Sequence, residues 1–344
     1  MICIILCAMK ILVFEYVTGG GFNRERIPDT LATEGLLMLK ALLQDLSEIA
    51  DIKLIVMLDT RFADSISEYA GTIEIVPIDA HQSVLETFQK QVVRCDAVWS
   101  VAPEINNILF DLTRMIERLG KRLLSSSSEA VAITSNKLET FRYLTQHRIE
   151  TVPSEPFIPH RFQPIGRQVI KPVDGMGCER TFRVDNAEDW ALVRPQLGEE
   201  PYIVQPYIDG TPASLSCLFN HGKGWLLCHN VQRIEIKDCR FKLNACRVNE
   251  PGVNANYKAL VDRVAHALPG LSGYAGIDII ETPEYITVLE INPRLTTSYA
   301  GIREALGINV AAEVLRMPQN RPSVNPIINR SINLLIDGDE TYAN

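Results

Sequence analysis

The chain has 344 residues, of which 46% are hydrophobic and 22% are charged, and this composition excludes a disordered or fibrous protein. The length predicts roughly two or three packed units. With 34 basic and 42 acidic side chains the formal charge is −8, which argues against general nucleic-acid binding and leaves no basic run for a membrane surface.

The first ten residues, MICIILCAMK, have the hydrophobicity of a signal sequence but no basic start, and the apolar stretch is too short to span a bilayer. Because Met9 and Lys10 stand directly before a strand pattern, we expect residues 1–8 to be an over-extended start or the beginning of that strand. Eight cysteines lie scattered without a CxxC pair, which favours free buried thiols over disulfides or zinc ligands. We therefore expect a cytoplasmic protein without a membrane span.

The first part of the chain alternates strand and helix patterns. In order these are the strand ILVFEYV, a TGGG loop, a helix that Asp29 would cap, the strands IKLIVM and TIEIVPI, a helix at 83–93, the strand DAVWSV and a helix at 104–119. This alternation predicts a small, parallel, doubly wound sheet. The loop around Gly20 would follow a strand at its carboxyl end, so it is either a substrate loop or a plain turn.

After this unit the pattern changes to mixed α+β. A four-serine run, read as a linker, precedes two short helical patterns and the short strands RQVIKPV, RTFRV, YIVQPYI, ASLSCLF and GWLLCHNVQRIEI. A helix at 256–268 follows, and GYAGIDIIET and YITVLEINPR predict an antiparallel hairpin around Pro283. Two helices, at 298–306 and 310–315, would close the core.

The stretch VLEINPRLTTSYAG places polar side chains at alternate positions of a strand end. Glu290, Asn292 and Arg294 would therefore share one face. Carboxylate and amide oxygens are hard ligands suited to Mg²⁺, and a guanidinium is a permanently charged fork for phosphate. The alternative is an ordinary amphipathic edge strand that turns at Pro293.

Five motifs, SNKLETFRYL, VIKPVDGMGCER, VQPYIDG, GIDII and LEINPR, occur in an order that resembles the ATP-grasp superfamily of carboxylate–amine ligases. The resemblance covers most of residues 125–315. It implies an α/β and α+β protein with the ATP-grasp fold, preceded by a small parallel α/β (pre-ATP-grasp) domain. The implied units are an amino-terminal domain at 1–124, a small lobe at 125–200 and a large lobe with the metal site at 201–344.

The same resemblance implies which residues bind ATP. Lys137 and Lys171 would contact its phosphates, and a flexible loop with Gly175 and Gly177 would cover them. The hinge between the lobes would hold the adenine and ribose. Its residues are Gln205, Tyr207, Ile208 and Asp209, the last standing in for a ribose-binding Glu that is missing here.

Metal binding is implied for Asp278, Glu290 and Asn292, which would hold Mg²⁺, or Mn²⁺ in its place, against the nucleotide. Arg294 would stabilise the transferring group, with Arg233 as a second catalytic candidate because Gly276 stands where some relatives carry an Arg. Taken singly, Asp278 would be a buried acid paired with Arg233, and Arg294 would belong to a surface pair.

A finer resemblance, of KILVFEYVTGGG and INPRLTTSYAG, is to the tyramine:L-glutamate ligases of methanofuran biosynthesis, a pathway of one-carbon metabolism. It implies that an acyl phosphate of glutamate is coupled to tyramine or tyrosine. Glu15 would pair with a substrate ammonium, or be structural. Thr297 and Ser298 would bind the amino acid or cap the next helix.

Two other functions stay open at this point. One is another amino acid or peptide ligase, or a carboxylating enzyme of this fold. The other is a nucleotide-binding regulatory protein without turnover. The partners expected in every case are small molecules rather than nucleic acid or membrane, and a homodimer is left open.

Overall fold

The computed structural model describes residues 8–175, 177–252 and 255–336. The question of whether residues 1–8 are an over-extended start falls, except for Ala8, outside the described residues. The first strand begins at Met9.

The amino-terminal sheet is parallel, with the order β3-β2-β1-β4-β5. Its strands are β1 (Met9–Glu15), β2 (Ile52–Asp59), β3 (Glu74–Ile78), β4 (Ala97–Val101) and β5 (Arg122–Leu123). The run from Ile11 to Phe14 is fully buried, as expected where helices cover both faces of a parallel sheet. The predicted parallel α/β unit is therefore confirmed.

Between residues 8 and 124 the α-helices that cover this sheet are α1 (Asp29–Ser47), α2 (Val84–Arg94) and α3 (Ile108–Arg118). Successive side chains of β1 point to opposite faces, so Val13 packs in one core cluster with Leu39 while Phe14 packs in another with Phe88. The predicted Asp29 cap is wrong, because Asp29 is the first helical residue and follows Pro28, which supplies no side-chain cap.

Local differences from the predicted elements cluster at the strand ends. The TGGG loop forms a π-helical turn, Val17–Gly21, in which Gly20 has φ +99°. An unpredicted 3₁₀ segment, Thr60–Tyr69, follows β2. The helix expected from residue 104 begins only at Ile108, after a 3₁₀ turn. The glycine-rich turn lacks apolar periodicity, whereas Phe62, Ile66 and Tyr69 stand at helical spacing in the Thr60–Tyr69 segment and were a signal that the prediction overlooked.

The described residues after β5 build a ten-stranded antiparallel sheet. Its strands are β6 (Glu155–Pro156), β7 (Gln168–Pro172), β8 (Phe182–Val184), β9 (Tyr202–Pro206), β10 (Thr211–Asn220), β11 (Lys223–Lys237), β12 (Arg240–Val248), β13 (Gly273–Glu281), β14 (Ile286–Asn292) and β15 (Ile332–Leu335). The order is β14-β13-β10-β11-β12-β8-β7-β9-β6, with β15 paired to β12. The predicted hairpin of β13 and β14 is present, whereas β12 and β15 were not predicted.

The α-helices that accompany this sheet within residues 125–175, 177–252 and 255–336 are α4 (Ser128–Thr134), α5 (Lys137–Gln146), α6 (Ala187–Val193), α7 (Ala255–Ala267), α8 (Tyr299–Leu306) and α9 (Val310–Arg316). The serine run is not an exposed linker, because Ser125 and Ser126 are buried and Ser127 caps α4 through the amide of Ala130. No helix in the described part of the chain is long and apolar enough to cross a membrane.

The two sheets meet through α1, which packs on α8 and α9. Asp45 of α1 accepts hydrogen bonds from Tyr299 and Arg303 of α8, at 2.7 and 2.9 Å. Burial raises the pKa of Asp45, and these two donors oppose the rise. The junction places the end of β1 and the start of α1 opposite the end of β14, which is where the cavity described next opens.

Candidate active site

A cavity of about 430 Å³ lies between the two sheets. Its walls come from the amino-terminal unit through β1 and α1, and from the antiparallel sheet through β7 and β9 on one side and β13 and β14 on another. Every predicted ATP or metal residue except Gly175 and Asp209 lines it. Those residues are Lys137, Lys171, Gly177, Gln205, Tyr207, Ile208, Asp278, Glu290 and Asn292.

Two carboxylates face each other at the floor of this cavity. Asp278 of β13 pairs directly with Glu290 of β14. Asn292 Nδ2 donates to Asp278 Oδ2 at 3.0 Å, and Gln232 Nε2 of β11 donates to Oδ1 at 3.1 Å. Burial, followed by the charge of Glu290, raises the pKa of Asp278. Gln232 was not predicted, because nothing in its strand pattern distinguishes it.

Two lysines balance these acids. Lys137, the first residue of α5, places Nζ 3.4 Å from Glu290 Oε2 and donates to the carbonyl of Gly175 at 3.0 Å. Burial lowers the pKa of Lys171, at the end of β7, to about 8 despite the nearby charge of Glu290. Burial would raise the pKa of Glu290, but Lys137 and Lys171 hold it below its usual value. Any further anion in the cavity would therefore stabilise the charged form of Lys171.

The predicted glycine loop follows Lys171 directly. Gly177 lines the cavity with φ +60°, a backbone conformation that suits glycine. Gly175 does not line the cavity, and its carbonyl accepts the Lys137 bond. The loop is thus attached to the lysine at the start of α5.

At the hinge, Gln205 is buried and its Nε2 donates to Ser154 Oγ at 2.7 Å. The amide of Tyr207 donates to the carbonyl of Arg167 at 2.9 Å, so this amide already has a partner within the protein. Asp209 is exposed, pairs with Arg167 and does not line the cavity. Its ribose role stays a prediction, and the structure places the side chain outside the cavity.

The two arginines predicted to be catalytic lie in different surroundings. Arg294 lines the cavity but is buried in a bidentate ion pair, with Nε 2.9 Å from Glu104 Oε1 and Nη2 2.8 Å from Oε2. Arg233 is exposed and does not line the cavity, because it lies on the face of β11 opposite Gln232. The alternative in which Asp278 pairs with Arg233 is not what the structure shows, since Gln232 and Asn292 bond Asp278 instead.

The predicted substrate residues are only partly brought together. Glu15, Thr297 and Ser298 line the cavity, whereas Gly20 is buried against Ile78 outside it. Ser298 does not cap α8 and bonds with Ser216 and Tyr274 instead. Thr297 donates to Glu34 of α1 at 2.6 Å. Glu34, another cavity residue, was missed by the sequence patterns.

The donor set fits a hard divalent cation. Asp278, Glu290 and Asn292 supply carboxylate and amide oxygens at one place, as Mg²⁺ prefers. Among the described residues no cluster of three or more His, Cys, Asp or Glu side chains would hold a metal by itself. Nucleotide phosphates would have to complete the coordination, which is the usual way Mg²⁺ enters such sites.

Comparison with known proteins bears on this arrangement. A pre ATP-grasp 3 domain matches residues 52–131, and an ATP-grasp domain matches residues 134–298. The tyramine–L-glutamate ligase of Methanocaldococcus jannaschii is 30% identical over 314 residues, covering 87% of this chain and 86% of that protein. The chain belongs to the ATP-grasp family. The predicted fold, ATP-grasp after a parallel amino-terminal domain, is thereby confirmed.

Two further ATP-grasp relatives are informative. The tyramine–L-glutamate ligase of Methanocaldococcus fervens is 29% identical over 301 residues, covering 85% of this chain and 89% of that protein. A crystal structure of an ATP-grasp superfamily protein from Archaeoglobus fulgidus superposes with a TM-score of 0.70, at 23% identity, over 95% of this chain and 92% of that one. This ATP-grasp chain is an ATP-binding carboxylate–amine ligase.

Proposed function

We propose that the ligase joins the γ-carboxylate of L-glutamate to the amino group of tyramine or tyrosine, in the biosynthesis of a methanofuran-type cofactor. The observation that carries this proposal is the 30% identity to a tyramine–L-glutamate ligase over 87% of the chain. The cavity supports it, since carboxylates, lysines and an apolar wall line the same space.

The first step forms an acyl phosphate. A carboxylate oxygen of glutamate attacks the γ-phosphorus of ATP, and the bond to the β,γ-bridging oxygen breaks to release ADP. Lys137 and Lys171 would hold the phosphates beside Glu290, so that positioning and charge neutralisation supply most of the rate. Mg²⁺, held by Asp278, Glu290 and Asn292, would neutralise β- and γ-phosphate charge when bound.

The second step forms the amide. The amine first gives up its ammonium proton to solvent, and its nitrogen then attacks the acyl carbon. The carbon–oxygen bond to phosphate breaks, the nitrogen loses a second proton to the departing phosphate, and inorganic phosphate leaves. Water competes with the amine for the same intermediate, so the loop with Gly177 has to cover the site until the amine has reacted.

The testing experiment measures ADP and phosphate with Mg·ATP and L-glutamate, with tyramine, tyrosine and a panel of other amines in parallel, and detects the product by mass. A γ-glutamyl amide that requires tyramine or tyrosine is the expected result. Turnover with a different acid and amine would support a ligase activity but reject the proposed substrates and pathway. Nucleotide binding without turnover under any combination would instead favour a regulatory protein.

A further inference from the structure

The cavity wall contributed by the amino-terminal domain is largely apolar. Leu31, Glu34, Gly35 and Met38 line it from α1, and their spacing of three, four and seven residues puts them on one helix face. Val17 and Val101 line the cavity from neighbouring elements. A ligand group that lies here meets aliphatic side chains on most sides.

Two carboxylates interrupt this apolar wall, and one of them already accepts three hydrogen bonds from the protein. Glu15 accepts from the amide of Val17 at 3.2 Å through Oε1, and from the amide and hydroxyl of Thr18 at 2.7 Å through Oε2. A Cβ on Gly35 would lie 2.7 Å from the same Oε2, so α1 runs directly over this carboxylate. Glu15 therefore organises the turn after β1, and its predicted role as the partner of a substrate ammonium passes to a neighbour.

That neighbour is Glu34. Its Oε2 accepts from Thr297, and no donor within the described ranges reaches Oε1. The nearby cation, Arg294, already forms a bidentate ion pair with Glu104. Burial raises the pKa of Glu34, although Thr297 and Arg294 oppose this rise. The approach of another cation would therefore stabilise the ionised carboxylate.

We propose that Glu34 binds the ammonium group of the acceptor amine, with the apolar body of that amine lying along Leu31 and Met38. This inference rests on the proposed function, because it assigns the second substrate of that reaction. Glutamate fits the wall less well, since its two carboxylates meet Glu15 and Glu34 and it has no large apolar surface to bury. The ligand class that fits is a primary amine with an aromatic or aliphatic body.

Direct binding tests the assignment without turnover. Tyramine and 4-ethylphenol, which has the same ring but no amino group, are titrated calorimetrically into the protein with Mg·ADP present. We expect wild type to bind tyramine at least about tenfold more tightly than 4-ethylphenol, as a charge-assisted hydrogen bond provides. Glu34→Gln should abolish this preference, and Glu68→Gln, an exposed acid elsewhere, should preserve it. An equal preference in wild type and Glu34→Gln would overturn the proposal.

A second variant tests the apolar part of the site. Leu31 is only partly buried, so Leu31→Ala should leave the fold intact. This substitution should weaken the binding of tyramine and of 4-ethylphenol by the same several-fold factor, because only apolar contact is lost. Unchanged binding of both compounds would show that α1 does not form part of the amine site.

Kinetics separate this inference from the proposed function. Hydroxylamine is a small nucleophile that traps the glutamyl phosphate without needing an ammonium site. Glu34→Gln should raise the KM for tyramine at least about tenfold while hydroxamate formation from glutamate stays near wild type. A higher KM for glutamate instead would reassign Glu34 to the first substrate. If wild type forms no γ-glutamyl product with any amine, the proposed function fails, and the titrations still decide the role of Glu34.

Discussion

Arg294 and Glu104 form a buried, bidentate ion pair that joins the end of the β14 hairpin to the loop after β4. Arg294 Nη1 also donates a hydrogen bond to the carbonyl of Leu295 at 3.0 Å. The guanidinium is thus neutralised and held in place beside the cavity. A transferring phosphoryl group near Arg294 would also meet the opposite charge of Glu104, which reduces the attraction. Part of the role of Arg294 is therefore to attach the two domains to each other.

Removing one partner of this pair should cost far more stability than removing both. Glu104→Gln leaves a buried guanidinium without its anion, and we expect a loss of about 3–5 kcal/mol in the free energy of unfolding. The double variant Glu104→Leu/Arg294→Met should be closer to wild type. Urea unfolding of both measures the difference.

The exposed pair of Glu139 and Arg142 provides the matched control. Glu139→Gln should cost about 0–1 kcal/mol, as surface pairs do. A Glu104→Gln variant no less stable than this control would show that the buried pair does not hold the domains together.

Glu290→Gln should lower turnover by at least about 100-fold while leaving the fold intact. The amide keeps the shape of the side chain but removes the charge that faces Lys137 and would help bind the metal. Initial rates of ADP release, with circular dichroism as the folding check, measure the effect. Glu284→Gln, an exposed acid in the turn of the same hairpin, should retain wild-type rates. Near-normal turnover in Glu290→Gln would rule out the assigned metal site.

The sequence was sufficient for the parts of the site that rest on local periodicity. The runs GYAGIDIIET and YITVLEINPR predicted the hairpin, and the structure shows that Asp278 and Glu290 pair across it. The exact register could not be predicted in the same way, because it shifts by one residue between Asp278 and Ile279 and an alternating pattern does not show such a shift.

The remaining residues depend on packing between distant elements. Glu104 lies 190 residues before Arg294, and Glu34 lies 263 residues before its donor Thr297, so no local pattern links either pair. Gly35 was a usable signal, because a glycine inside a helix marks a close approach, here to Glu15. Arg233 was chosen to replace a missing family Arg without knowledge of the strand face, and the structure places it outside the cavity.

Tyr274→Phe should destabilise the large lobe by about 1–2 kcal/mol. The buried hydroxyl of Tyr274 bonds with Ser216 and Thr296 at 2.9 Å and with Ser298 at 3.2 Å, and its removal leaves these hydroxyls with fewer partners. Urea unfolding checks the value. Tyr285→Phe, at an exposed tyrosine of the β13–β14 turn, should change stability by less than about 0.5 kcal/mol. Equal stability of the two variants would mean that the network around Tyr274 adds nothing.

Nucleotide binding should weaken as the pH rises above about 8. Burial lowers the pKa of Lys171 to about 8, so in the free protein this lysine loses its proton, and its attraction for phosphate, above that pH. The bound phosphates favour the charged form, so binding above pH 8 must take up a proton. The affinity for Mg·ADP should then fall by up to about tenfold per pH unit. Calorimetry at pH 7 and 9, in two buffers of different ionisation enthalpy, measures both affinity and proton uptake.

The lysine responsible can be identified by substitution. Lys171→Arg keeps its charge across this range, so its affinity for Mg·ADP should no longer depend on pH between 7 and 9. Lys90→Arg, at an exposed lysine of α2, should retain the wild-type pH dependence. If Lys171→Arg keeps the wild-type slope and proton uptake, another group titrates in this range, and Lys171 binds phosphate as a permanently charged residue.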